Sequence, residues 1–155
     1  MKFILHMLAV TALSAGAMAT SADPFVGKWV LNPRESKYPA GTCPKSMVIQ
    51  MESAGKGIRY RSDTTYASGS TAHSEYKADY DGKQALVKGN RGMLLPVLLK
   101  RPDSRTVIAS YTKALQVVAT SRRVVSKDGQ RMTITTISRN QSGKDVTTLG
   151  IYEKQ

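Results

Sequence analysis

The stretch DPFVGKWVLNPRESKYPAG, Asp23 to Gly41, holds the single tryptophan of the chain, in a Gly27-Lys28-Trp29 triplet. A short extended run, Lys28–Asn32, is stopped by Pro33, and Pro39, Gly41 and Pro44 follow. Proline fixes φ and removes a backbone donor, so no pair of helices fits between 33 and 45. Lys28–Asn32 therefore reads as a first strand with Trp29 at its start, followed by a long irregular connection.

Outward from that strand, period-2 alternation dominates, with Thr, Val, Ile and Tyr in excess. Ten strands are expected: Lys28–Asn32, Ser46–Ser53, Gly57–Tyr66, Thr71–Tyr80, Gln84–Lys88, Pro96–Arg101, Thr106–Tyr111, Leu115–Ser126, Arg131–Arg139 and Val146–Glu153. Met47, Ile49 and Met51 share one face; Ile58, Tyr60 and Tyr66 share another, opposite Arg59, Arg61 and Asp63. Ala72, Tyr76, Ala78 and Tyr80 oppose His73, Glu75, Lys77 and Asp79. Tight turns at 53–57, 81–83, 102–105 and 127–130 carry Gly or Asp, and Asp81-Gly82 and Asp128-Gly129 are hairpin signals because Gly takes positive φ at no cost. In a meander all four lie at one end, with the start of the first strand. The longer connections 33–45 and 89–95 lie at the other. Ten exposed strands need their edges managed, and closure removes edges. The expected fold is all-β: an up-and-down antiparallel β-barrel of about ten strands, closed at the Trp29 end. A β-sandwich is the competing arrangement.

On that topology Trp29 plugs the tied end, Gly27 lets the chain cross close underneath, and Arg131 and Lys154 reach the indole for a cation–π contact of about 1 kcal/mol. The alternative is that Trp29 is an ordinary core residue.

The first residues, MKFILHMLAVTALSAGAMATSA, place Lys2 before a short apolar run and then small residues. This is the layout of a secretory signal over 1–22, cleaved after Ala19 or Ala22, and too short to span a membrane; an uncleaved anchor is the alternative. The expected location is periplasmic or secreted, with one domain over 23–155. Cys43 is the only cysteine, so it is either inert or bridges two chains, giving a monomer or a weak dimer.

Lys and Arg number 23 against 11 Asp and Glu, a formal net charge of +12. The cations are spread through every segment. That suits a solvated surface with weak attraction to anionic membrane or polysaccharide. No nucleic-acid motif accompanies it, so no nucleic-acid partner is expected.

Gly27-Lys28-Trp29 on a first strand, followed by a meander of hairpins, resembles the calycins: lipocalins and fatty-acid-binding proteins, and among them small exported bacterial lipocalin-like proteins. RVVSKDGQRMTITT (123–136) and GIYEKQ (150–155) are similar to that group. The resemblance implies an up-and-down barrel shut at one end by the Trp segment and open at the other to a ligand cavity. Ten strands are similar to the fatty-acid-binding branch. Two departures stand against it: segment 33–45 has no room for the helical lid of that branch, and the last strand, Gly150-Ile151-Tyr152-Glu153, lacks its Arg-x-Tyr carboxylate clamp. A bound fatty acid is therefore not implied.

No constellation points to catalysis. Cys43 and the one histidine after the leader, His73, lack an orienting third group. There is no G-x-S-x-G elbow and no phosphate loop. His73, Glu75 and Asp79 alternate on one strand, as a solvated face or a metal site. The expectation is no enzyme, no cofactor and no metal. Tyr60, Tyr66, Tyr76, Tyr80 and Tyr111 lie on apolar-leaning faces. They either line a cavity suited to a small amphipathic ligand or pack as core. GMLLPVLLK (92–100) is either an apolar lip at the open end or a buried strand. The leading reading is an exported lipocalin-like protein that holds a small amphipathic or apolar ligand inside the barrel. The alternative is a basic surface-interaction protein for anionic polysaccharide or lipid headgroups, with no internal ligand.

Overall fold

A computed structural model describes residues 22–155. The expected leader lies outside the described residues, apart from Ala22. The described chain forms eleven antiparallel strands and no helix. They are β1 Gly27–Leu31, β2 Ser46–Ala54, β3 Gly57–Thr65, β4 Thr71–Asp79, β5 Asp81–Ala85, β6 Lys88–Gly89, β7 Val97–Asp103, β8 Thr106–Lys113, β9 Gln116–Val125, β10 Arg131–Arg139 and β11 Asp145–Lys154.

All eleven belong to one sheet, in the order β5-β7-β8-β9-β10-β11-β1-β2-β3-β4-β6. The first and last strands of the chain meet in its middle, where Trp29 lies opposite Lys154. The two edges of the sheet, β5 and β6, are separated in sequence only by Leu86 and Val87. An eleven-stranded sheet whose edges are that close along the chain must curl strongly on itself. Its ladder nevertheless does not close into a ring. β4 and β5 follow one another through Tyr80 but are not paired; β5 bonds to β7, and β6 bonds to β4. The expected closed ring of about ten strands is thus corrected. What reads as one fifth strand, Gln84–Lys88, changes partner at Leu86–Val87, and the change interrupts it. The Asp81-Gly82 pair is likewise no hairpin tip, since Gly82 takes its positive φ of 76° inside β5. At Gly129, φ 72°, the expected β9–β10 turn is present.

The alternation sets the core. Ile58, Tyr60, Ser62 and Thr64 of β3 are buried, as are Ala72, Tyr76 and Ala78 of β4 and Ala119, Ser121, Arg123 and Val125 of β9. Tyr60 and Tyr76 are cross-strand partners and stack with centroids 4.8 Å apart and planes 11° from parallel. Such a pair contributes roughly 0.5–1.5 kcal/mol beyond area burial.

The two ends of the curled sheet differ in build. At the Trp29 end lie the short turns after β2, β7 and β9 and segment 23–26, whose Asp23 is held by Arg101 of β7. Trp29 and Phe25 are fully buried. The Trp29 indole N–H donates to the Phe25 carbonyl at 2.9 Å, and the Lys154 ammonium sits 5.0 Å from the ring centroid and donates to the Pro24 carbonyl. Gly27 suits this position because its φ is 138°, and its missing Cβ leaves room for the end of the Lys154 side chain. At the loop end lie segment 33–45, the turn 66–70, the stretch 90–96, the two-residue tip Ala114-Leu115 and the turn 140–144.

Candidate functional site

The inward faces of β3, β4, β8, β9 and β10 leave a cavity of about 360 Å³ that opens toward the loop end. That is within the size range of small-molecule sites. Its wall is made by the strand alternation itself: Tyr60, Ser62 and Thr64 from β3, Ser74 and Tyr76 from β4, Tyr111 from β8, Ser121 and Arg123 from β9, Ile134 and Thr136 from β10. Nearer the loops stand Tyr38, Pro44, Met47, Tyr66, Val87, Met93 and Tyr152. The hydroxyls along the wall satisfy one another in pairs. Ser62 and Ser74 are 2.8 Å apart, and Ser121 and Thr136 are 2.7 Å apart.

Arg123 dominates the site. Only 2% of it is exposed. One terminal nitrogen donates to the Tyr76 hydroxyl at 2.8 Å and the other to the Tyr111 hydroxyl at 3.3 Å. The guanidinium lies 4.7 Å from the Tyr60 ring centroid and 6.0 Å from that of Tyr76. Its Nε–H is buried and has no partner, and among the described residues no carboxylate pairs with it. A buried cation without a counter-charge is costly, because neutral hydroxyls only partly replace lost hydration.

Burial pushes the Tyr60 hydroxyl up to about 12 against the pull of Arg123, and it drives Tyr76 and Tyr152 upward as well. For Arg123 itself burial works against the charge and the hydrogen bond accepted by the Tyr76 hydroxyl works for it, and the guanidinium stays protonated. At neutral pH the cavity is therefore a chamber with one buried positive charge, Arg123, a second cation, Arg91, at its mouth, and a set of hydroxyl dipoles.

The structure brings together only some of the residues singled out from sequence. Tyr60, Tyr76 and Tyr111 are buried on the cavity wall. Tyr66 is half-buried at the mouth, with Arg91 5.6 Å above its ring. Tyr80 is not on the wall. It has the same strand parity as Tyr76 but lies nearer the Trp29 end, where Arg101 covers its ring at 5.1 Å. Lys154 reaches the indole, whereas Arg131 does not. Arg131 is exposed and pairs with Glu35 at 2.7 Å, with Glu153 further off at 4.0 Å, because its strand position faces outward. The run 92–100 divides: Gly92 and Met93 line the cavity, Leu94 is exposed, and Val97 and Leu99 are fully buried in β7. His73 Nδ1 lies 2.8 Å from Asp63, and the half-buried Cys43 thiol donates to the Pro44 carbonyl.

Sequence reasoning missed Arg123, Tyr38 and Tyr152. Tyr38 comes from the long connection and meets Tyr152 over Gly150, where a Cβ would lie 2.7 Å from the Tyr152 ring and 3.1 Å from the Tyr38 hydroxyl. The Tyr152 hydroxyl donates to Met47 Sδ at 3.2 Å. The signal for Arg123 was its parity with Ala119, Ser121 and Val125.

No family model matches the chain, and no curated protein sequence does. Among solved structures, the zebrafish ileal bile acid-binding protein complexed with cholic acid is similar, with a TM-score of 0.53 at 11% identity, over 85% of this chain and 99% of that one. The likeness is one of fold: an antiparallel sheet curled around an interior.

Proposed function

We propose that the protein binds a small amphipathic anion in its interior, with the charged end of the ligand at Arg123 and its apolar body toward the loop end. The single observation that carries this reading is the Arg123 guanidinium, buried with an unmet Nε–H and no carboxylate partner. An anionic group arriving there would turn a desolvated cation into a charge-assisted pair. The Tyr76 and Tyr111 hydroxyls, already oriented by Arg123, would hold its second oxygen. Met47, Val87, Met93 and Ile134 offer the apolar lining. A neighbour of the same fold is known with cholic acid, an amphipathic acid, which supports the class of ligand.

On this reading Trp29, Gly27 and Lys154 shut the far end of the chamber, Tyr60, Tyr66, Tyr76 and Tyr111 line it, and no catalytic step is assigned. Residues 1–22 serve as a leader, so the protein works in the periplasm or outside the cell. Calorimetric titration with paired ligands tests the proposal: an amphipathic carboxylate and the alcohol of the same skeleton. The carboxylate should bind more tightly by about ten- to a hundred-fold, the range of one charge-assisted pair, and Arg123→Met should erase the difference. Equal affinities in the wild type, or an undiminished preference in Arg123→Met, would overturn it.

A further inference from the structure

Five large apolar side chains stand exposed among the described residues, and three of them, Leu115 (86%), Val117 (59%) and Ile137 (47%), lie at one corner of the loop end. Leu115 and Val117 belong to the β8–β9 hairpin, and Ile137 sits on β10 opposite Thr120 of β9. The hairpin tip is unusual in a second, independent way. Lys113 pairs with Gln116, so the tip is the two residues Ala114 and Leu115, and both have positive φ, 48° and 65°. They are the only non-glycine residues in the described chain with that conformation. Two-residue tips of this kind favour Asn-Gly, because a side chain with a bulky Cβ is strained there. Neither backbone preference nor burial in the fold accounts for a leucine at this position.

The setting is cationic. Lys113, Arg122, Arg139 and Lys144 surround the apolar corner; Asp145, 3.6 Å from Arg139 Nε, is the acidic residue among them.

We propose that this corner docks the protein onto an anionic phospholipid bilayer. Leu115, with Val117 and Ile137 behind it, enters the boundary between headgroups and acyl chains, while the four cations rest on lipid phosphates. Apolar side chains ringed by Lys and Arg are the pattern that such an interface selects. An anionic polysaccharide would meet the charges but has no apolar phase for Leu115. A second copy of the chain would bring two sets of four cations together, which like-charge repulsion opposes. The proposal concerns the outer surface and does not depend on the interior site.

Co-sedimentation of the chain from residue 23 with vesicles tests it, using phosphatidylglycerol mixed with phosphatidylcholine against pure phosphatidylcholine. The wild type should partition to the mixed vesicles, and less so as salt rises. The double variant Ala114→Asn with Leu115→Gly suits the turn better, so its melting temperature should hold or rise while partitioning falls on the order of tenfold. Lys113→Glu with Arg122→Glu should weaken binding more than Lys56→Glu with Lys127→Glu, an equal charge change at the Trp29 end. Undiminished partitioning in the Asn-Gly variant would overturn the proposal. Equal loss from the two charge pairs would also overturn it, since diffuse net charge would then suffice. So would a dimer, seen by sedimentation equilibrium without lipid, that the Asn-Gly variant abolishes.

Discussion

Arg101 and Arg123 use nearly the same surroundings to opposite ends. Each guanidinium sits against two aromatic rings: Arg101 against Phe25 at 5.5 Å and Tyr80 at 5.1 Å, Arg123 against Tyr60 and Tyr76. At the Trp29 end, however, the chain supplies the counter-charge. Asp23 receives two hydrogen bonds from Arg101, at 2.7 and 3.0 Å, and the Ser104 carbonyl receives another at 2.7 Å. In the cavity the chain supplies neutral phenols and leaves Nε–H without an acceptor. On the proposed reading, what meets each cation tells the one that fastens the fold from the one that takes a ligand.

The largest effect expected at either end belongs to neither arginine. Trp29→Ala should cost roughly 3–5 kcal/mol, since it removes a fully buried indole, and Trp29→Phe should recover part of that. Urea unfolding measures both, and full stability in Trp29→Ala would show that the Trp29 end is not what holds the sheet together.

The arginine contrast itself follows. Asp23→Asn weakens a two-pronged charged contact whose side chains are only 22% and 19% exposed, so about 1–3 kcal/mol of stability should be lost. Arg123→Met removes a desolvated charge while leaving two phenols unpaired, so stability should change by less than about 1 kcal/mol in either direction. Comparable losses in the two variants would abolish the distinction between fastening and binding cations.

The remaining effect is on pH dependence. Tyr60 and Tyr80 ionise in the folded protein near 12, chiefly because burial disfavours the phenolate, against an ordinary value of 10.0. Their contribution is complete below pH 10. It is lost as pH rises from 10 toward 12, because the unfolded chain ionises first. Tyr60→Phe with Tyr80→Phe should flatten that part of the stability profile, compared with wild type at pH 9 and 11. An unchanged slope would mean that these phenols are not shielded.

How much of this was readable from sequence depends on which property is asked for. Period 2 fixes which face a side chain takes, and the inward sets on β2, β3, β4 and β10 follow from it directly. It does not fix depth along the strand. Tyr80 and Tyr76 share a face, yet one packs under Arg101 and the other lines the cavity. Arg123 was hidden by its neighbour, since Arg122-Arg123 reads as a solvated basic pair unless the alternation of Ala119, Ser121 and Val125 is carried through it. The break at Leu86–Val87 has no local signature, because a change of ladder partner is decided by the distant strands β4 and β7.

The pairing of β1 with β11 governs the order in which the molecule can assemble. Pro24 and Lys154 touch across 130 positions of sequence. The floor beneath the indole is therefore finished only when the last strand arrives. Until then β1 keeps an unpaired edge, and Trp29 and Leu31, with Phe25 just before the strand, expose surface that the folded protein buries. Closing so long a loop is entropically expensive and slows folding relative to helical chains of this size. A chain that emerges from its N-terminus onward thus stays unfinished, and open to capture by chaperones or by its own kind, until β11 has emerged.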